Sequence, residues 1–138
     1  MITVKTQIED MNLKQMLDVY QSVGWMKHDE EIIHTVFEAS THKVFAVKEG
    51  LVIGFARALS DGIFNAAIYD VVVHKDHQGE GIARLLLEKL LDDLKDVSCI
   101  HLISTTGNMA FYERCGFQKL KTGMAIYRNV QLAAEYLE

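Results

Sequence analysis

The six residues Gln78-Gly79-Glu80-Gly81-Ile82-Ala83 sit between an apolar run, residues 66–73, and a long stretch with leucines at helical spacing. A strand, a turn with two glycines and then a helix make an anion site, because the free N–H groups of a first helical turn converge on one point. Gly79 and Gly81 let the main chain approach a ligand with no Cβ in the way, and the small Ala83 permits close packing. A phosphate-bearing ligand is the expectation. Counted from Gly79, the sixth position is Arg84, where a dinucleotide fingerprint needs Gly or Ala. Gly81-Ile82-Ala83 also lacks the lysine and the hydroxyl with which a nucleoside-triphosphate loop holds phosphate and magnesium.

Other residue types invite chemistry with less support. Asp70 is the one charged residue in 66–73, a run apolar on both alternating faces and so expected to be a central strand covered on both sides. His74 and His77 flank Asp76, but no further ligands cluster with them; a solvated turn without metal is expected. Cys99 and Cys115 match neither a redox pair nor a zinc knuckle, and are expected to be core.

The elements that must position these residues follow from periodicity and turn chemistry. Ile2, Val4 and Thr6 alternate with polar residues as an opening strand, and Met11, Leu13, Met16, Leu17 and Tyr20 predict a helix capped by Asp10 or Asn12. A second helix is expected over 29–39, with Ile32, Ile33, Val36 and Phe37 as its apolar face. Residues 43–47 and 51–59 read as strands joined by a tight Glu49-Gly50 turn. After the 66–73 strand comes a helix over 81–94 that buries Ile82, Leu85, Leu86, Leu90 and Leu94. Residues 99–103 predict a strand, 107–114 a short helix, and Gly116-Phe117 a final hairpin toward Ile126 and Tyr127. The fold class is α+β, an α/β/α sandwich around a mixed, mostly antiparallel sheet.

Composition bounds the function. A length of 138 residues without proline, linker or repeat predicts a single domain over 1–138. A net charge of −5 without a basic cluster gives no footprint for nucleic acid or anionic lipid. The apolar runs are far shorter than the roughly 18 residues of a membrane span, and residues 1–10 lack the layout of a secretory signal, so a cytoplasmic protein without membrane partners is expected.

With Phe111-Tyr112-Glu113-Arg114-Cys115-Gly116-Phe117 downstream, the turn Gln78-x-x-Gly81-x-Ala83 after the strand Asp70-Val71-Val72-Val73 resembles the GNAT acetyltransferase superfamily over essentially the whole chain. Gly24-Trp25, Phe55-Ala56-Arg57-Ala58, Ser60-Asp61 and Phe64-Asn65-Ala66 look like the bacterial and plant members related to arylalkylamine, serotonin-type N-acetyltransferases. The resemblance implies transfer of acetyl from acetyl-CoA to an amine. It puts the main chain of Val71, Val72 and Val73 beside the pantetheine arm, and Gln78, Gly79, Glu80, Gly81, Ile82, Ala83 and Arg84 around the pyrophosphate. Glu80 would then point outward, with Arg84 offsetting its charge. Thr105 stands where relatives often carry asparagine, Asn108 could compensate, and Phe111 and Tyr112 complete the cofactor side.

By the same resemblance, Tyr112 is the general acid that protonates the departing thiolate. An unpaired Asp70, its pKa raised by desolvation, could be the base for an ammonium acceptor; a water chain, or a structural Asp70 bonded to a neighbouring loop, are the alternatives. Some relatives carry a glutamate where this chain has Ala67. Trp25, Arg57, Asp61, Phe64 and Asn65 border the cleft in which the family holds its acceptor. The expected partner is a small-molecule amine, with a homodimer as the commonest closed assembly. A non-catalytic acyl-CoA sensor and a protein-lysine or N-terminal acetyltransferase are the competing readings.

Overall fold

Alternating residues make β1 (Ile2–Lys5), which runs antiparallel to β2 (His42–Lys48). Glu49 and Gly50, at φ 52° and 79°, then reverse the chain into β3 (Leu51–Ser60). Positive φ at both central residues is the turn geometry that matches the twist of the paired strands. β3 is antiparallel to β4 (Asn65–Val73), and β4 is parallel to β5 (Cys99–Leu102), so the strands follow one another in chain order across a mixed sheet. The structure, a computed structural model, describes residues 1–138.

Two helices precede the second strand. Asn12 caps α1 (Leu13–Ser22) by accepting the Gln15 N–H, and Asp29 caps α2 (Glu30–Ala39) by accepting the Ile32 N–H. Each side-chain cap of this kind contributes about 1 kcal/mol. Met16, Val19 and Tyr20 of α1 and Ile33 and Phe37 of α2 bury themselves against Phe45, Phe55 and Val72 on one face of the sheet. α3 (Ile82–Asp93) covers the opposite face. Gly54 lets it approach: a Cβ there would lie 3.4 Å from Leu86 Cδ1 and only 3.0 Å from the Val72 carbonyl oxygen. The buried face of α3 and its C-terminal cap is Ile82, Leu86, Leu87, Leu90 and Leu94, whereas Leu85, expected among them, is exposed.

The chain divides into two compact units, Met1–Ile103 and Ser104–Glu138. The first holds the sheet and α1–α3; the second holds α4 (Met109–Arg114) and α5 (Val130–Tyr136). The hairpin expected from Gly116-Phe117 toward Ile126 and Tyr127 is absent: residues 117–129 form no strand. No other strand lies in that unit, and an isolated two-stranded hairpin is only marginally stable. Asn129 instead caps α5 through the Leu132 N–H, and Tyr127 stacks on Tyr136. Cys99, expected in the core, is exposed.

Candidate active site

β4 carries the centre of the site because its backbone is irregular where it matters. Between the pairs Arg57↔Tyr69 and Phe55↔Val72 the chain advances two residues on β3 and three on β4. The extra residue is accommodated at Asp70, whose φ of +54° lies in the left-handed region. On its other side β4 pairs with β5 only from Asn65↔Cys99 to Ile68↔Leu102. From Tyr69 onward, therefore, β4 has a strand partner on one side only, and its main-chain donors and acceptors on the β5 side are free of the ladder. A bulge followed by a parting of strands gives an extended ligand a strip of main chain to bind.

Asp70 is held through one carboxylate oxygen. Its Oδ2 accepts from the Tyr20 hydroxyl at 2.9 Å and from Arg57 Nε at 2.8 Å, and Arg57 reaches Ser40 Oγ at 3.3 Å and lies over the Tyr69 ring. The Arg57 and Asp70 side chains are 16% and 14% exposed, so the pair is largely shielded from solvent screening. The reading of Asp70 as an unpaired carboxylate is thereby corrected: the charge opposite it is Arg57, from the adjacent strand. Tyr20 is completely buried, and burial first, then Asp70, drives its pKa far upward, so it remains a hydrogen-bond donor. Nothing in the spacing of Tyr20, Ser40, Arg57 and Asp70 announced this cluster, because its members come from four places in the chain.

Aromatic rings extend the cluster toward the loop between α1 and α2. The His28 ring stacks on Tyr20 at 3.8 Å between centroids, and Trp25 lies 5.7 Å from Tyr20. His28 Nδ1 is buried without a hydrogen-bond partner, and burial lowers the pKa of the imidazole below 6.5, which keeps the ring neutral at physiological pH. His28 was not anticipated; only its position three residues after Trp25 could have signalled it. Of the expected acceptor residues, Trp25 and Arg57 meet at this cluster through Tyr20. Asp61, Phe64 and Asn65 belong instead to the β3–β4 turn. There Asp61 Oδ1 accepts the N–H groups of Ile63, Phe64 and Asn65, and these bonds hold its carboxyl below the usual range. That turn borders a separate open recess of about 390 Å³ shared with Thr41, Ser60 and His101.

The phosphate turn is made of main chain. Gly79 and Gly81 have φ of 82° and 80°, and a Cβ on either would meet nothing within 4 Å, so the backbone conformation rather than crowding requires glycine. Gly81 is the N-cap of α3 and supplies no side-chain cap; the first intrahelical bond is Leu85 N–H to Gly81 C=O. The N–H groups of Ile82 and Ala83 precede that bond and have no place in the helical ladder. Gln78 Nε2 donates to the Val73 carbonyl at 3.1 Å and ties the turn to the end of β4. Glu80 is drawn toward Lys48 (3.6 Å) and His77 (3.8 Å), while Arg84 engages Glu88 one turn on. Lys48 and, when protonated, His77 thus place positive charge beside Glu80. The donor set, uncapped N–H groups at a helix N-terminus with open space in front of the glycines, fits a diphosphate.

In the second unit Thr105 and Asn108 bond each other, Asn108 Nδ2 donating to Thr105 Oγ1 at 2.6 Å. Tyr112 packs edge-on to Phe111 and Phe117, and burial raises its pKa, so its hydroxyl carries a proton at physiological pH.

Residues 10–117 match the Acetyltransferase (GNAT) family, and the chain belongs to that family; it is an acetyl-CoA-dependent N-acetyltransferase. It is 31% identical over 122 residues to the uncharacterized N-acetyltransferase ycf52 of Pyropia yezoensis, covering 84% of this chain and 70% of that protein. It is 33% identical over 137 residues to the chloroplastic serotonin N-acetyltransferase 2 of Oryza sativa subsp. japonica, covering 93% and 68%. A GNAT family acetyltransferase from Streptococcus pneumoniae is similar in structure, with a TM-score of 0.79 and 29% identity over 94% of this chain and 99% of that one.

Proposed function

We propose that the chain transfers acetyl directly to the primary amine of a small arylalkylamine. The observation that carries this reading is the pair of half-buried rings Trp25 and His28, which lie against the buried Tyr20 beside the β4 bulge and offer an aromatic acceptor a stacking surface. The likeness to a protein named serotonin N-acetyltransferase 2 supports the same class. Neutral His28 adds no positive charge that would repel an ammonium group.

In this reading the N–H groups at the start of α3 hold the diphosphate of acetyl-CoA, and the main chain of Val71, Val72 and Val73, which has no β5 partner, orients its pantetheine arm. The bound thioester supplies the acetyl group and a thiolate as leaving group. The main chain of the bulge stabilises negative charge on the carbonyl oxygen, and Tyr112 donates the proton that the departing sulfur takes. Asp70 is held by Tyr20 and Arg57 and not aimed at an acceptor, so the amine loses its proton to water. Thiol release from acetyl-CoA, measured with arylalkylamines, polyamines and lysine or N-terminal peptides, tests the assignment. Arylalkylamines are expected to give the highest kcat/KM. Turnover confined to peptides would make the chain a protein acetyltransferase, and cofactor binding without turnover would make it a sensor.

A further inference from the structure

The Tyr20–Asp70–Arg57 cluster lies on the residue that makes β4 irregular. A left-handed backbone costs a non-glycine residue about 1–2 kcal/mol, somewhat less for Asp, and persists only where the surroundings over-determine it. Asp70 carries a short polar side chain and two charge-assisted hydrogen bonds on one oxygen, from a buried hydroxyl on α1 and a guanidinium on β3. The bulge has a consequence for everything after it. A one-residue change of register turns every later side chain to the other face. With the bulge, Val72 pairs with Phe55 and joins the core under α1 and α2, and Val73 lies beside Gly54 and Leu86 under α3. Val73 is also the residue whose carbonyl accepts from Gln78 at the phosphate turn. Without it, Val71 would take the place of Val72, and the turn would leave the strand one residue out of phase.

We propose that Tyr20 and Arg57 are positioning residues for acetyl transfer: they grip one oxygen of Asp70, hold it in its left-handed conformation, and so fix the register that presents the main chain of Val71–Val73 to the thioester. The proposal rests on the acetyl-transfer reading of the site, and it assigns Asp70 a structural hold instead of the role of base. Arg57 is itself steadied by Ser40 and the Tyr69 ring, so the grip reaches from α1 across β3 to β4.

The test uses the full chain with Tyr20→Phe, Arg57→Gln, Arg57→Lys and Asp70→Asn. Two readouts are needed: kcat and KM for acetyl-CoA with the best amine of the panel above, and hydrogen exchange of the amides of residues 69–73, which requires no acceptor. Tyr20→Phe and Arg57→Gln are expected to lower kcat by about tenfold or more and to speed exchange at 70–73 by a similar factor. KM for acetyl-CoA should move less than about twofold, because donors at the start of α3 dominate that binding. Arg57→Lys should recover part of the loss. Asp70→Asn, which still accepts from Tyr20 and tolerates positive φ, should keep the acidic limb of the pH–rate profile.

Tyr20→Phe, which removes one oxygen atom, keeps the proposal falsifiable if Arg57→Gln fails to fold. Wild-type kcat or wild-type exchange in Tyr20→Phe overturns the proposal. Loss of the acidic limb in Asp70→Asn, with kcat down about 10²–10⁴-fold, also overturns it by making Asp70 the base. If no amine is turned over by the unmodified protein, the arylalkylamine reading fails while the exchange measurement still judges the clamp.

Discussion

β4 and the turn that follows it serve two regions built on opposite principles. Around Asp70 the site is made of side chains gathered from α1, the loop after it, β3 and β4: a hydroxyl, a guanidinium, a carboxylate and stacked rings. A few residues later, from Gln78 to Arg84, it is made of main chain, with glycines at positive φ and uncapped N–H groups. In the first region the side chains hold the backbone, since Tyr20 and Arg57 bond the residue at positive φ, so a substitution there reaches the register of the strand as well. In the second the donors toward a ligand are main-chain N–H groups, and the Gln78 side chain only ties the turn to β4.

Several substitutions would break or sharpen that contrast. The largest effect is expected from Asp70→Ala, which leaves Arg57 unpaired at 16% exposure and the buried Tyr20 hydroxyl without its acceptor. Breaking such a pair costs about 3 kcal/mol, read as a lower urea midpoint at unchanged m-value. A loss below about 1 kcal/mol would mean that the cluster does not hold the strand. If Tyr112 is the proton donor proposed above, Tyr112→Phe should lower kcat about 10²-fold with the fold retained; an unchanged rate would reduce Tyr112 to packing against Phe111 and Phe117.

Gly54→Ala probes the close approach behind the main-chain region. Its Cβ would sit 3.0 Å from the Val72 carbonyl, so β3 and β4 must separate, at about 1–3 kcal/mol of stability. Smaller still is the effect of His28→Gln. The native imidazole has a pKa lowered from 6.5 by burial, so near and below that pH the unfolded chain binds a proton that the folded chain does not. Stability therefore holds above pH 6.5 and declines as pH falls through the native value, and the variant should lose that part of the slope in pH-dependent unfolding.

How much of this was legible follows from the same contrast. The phosphate turn could be read from Gln78-Gly79-Glu80-Gly81-Ile82-Ala83 because positive φ admits few residues other than glycine, and local backbone demands leave a local mark. The sheet and the helices before and after it were legible for a similar reason: Asn12, Asp29 and Glu49-Gly50 stand at the caps and turn that they form. The pairing of Asp70 with Tyr20 and Arg57 spans 50 and 13 residues and has no periodicity to betray it. The C-terminal hairpin failed for the converse reason: Gly116-Phe117 leading toward Ile126 and Tyr127 looks like a turn into strands, but a strand also needs a neighbour, and none lies in that unit. Asn129 did mark the start of α5, yet a helix of seven residues gives too few turns for its apolar face to stand out.

The main-chain grip at the start of α3 is tested most directly by calorimetric titration of coenzyme A into the unmodified protein and into Gly81→Ala. Forcing a Cβ onto φ 80° costs about 1–2 kcal/mol, so the variant should bind roughly tenfold more weakly while remaining folded. Equal affinity of the two proteins, or no heat with the unmodified one, would contradict it.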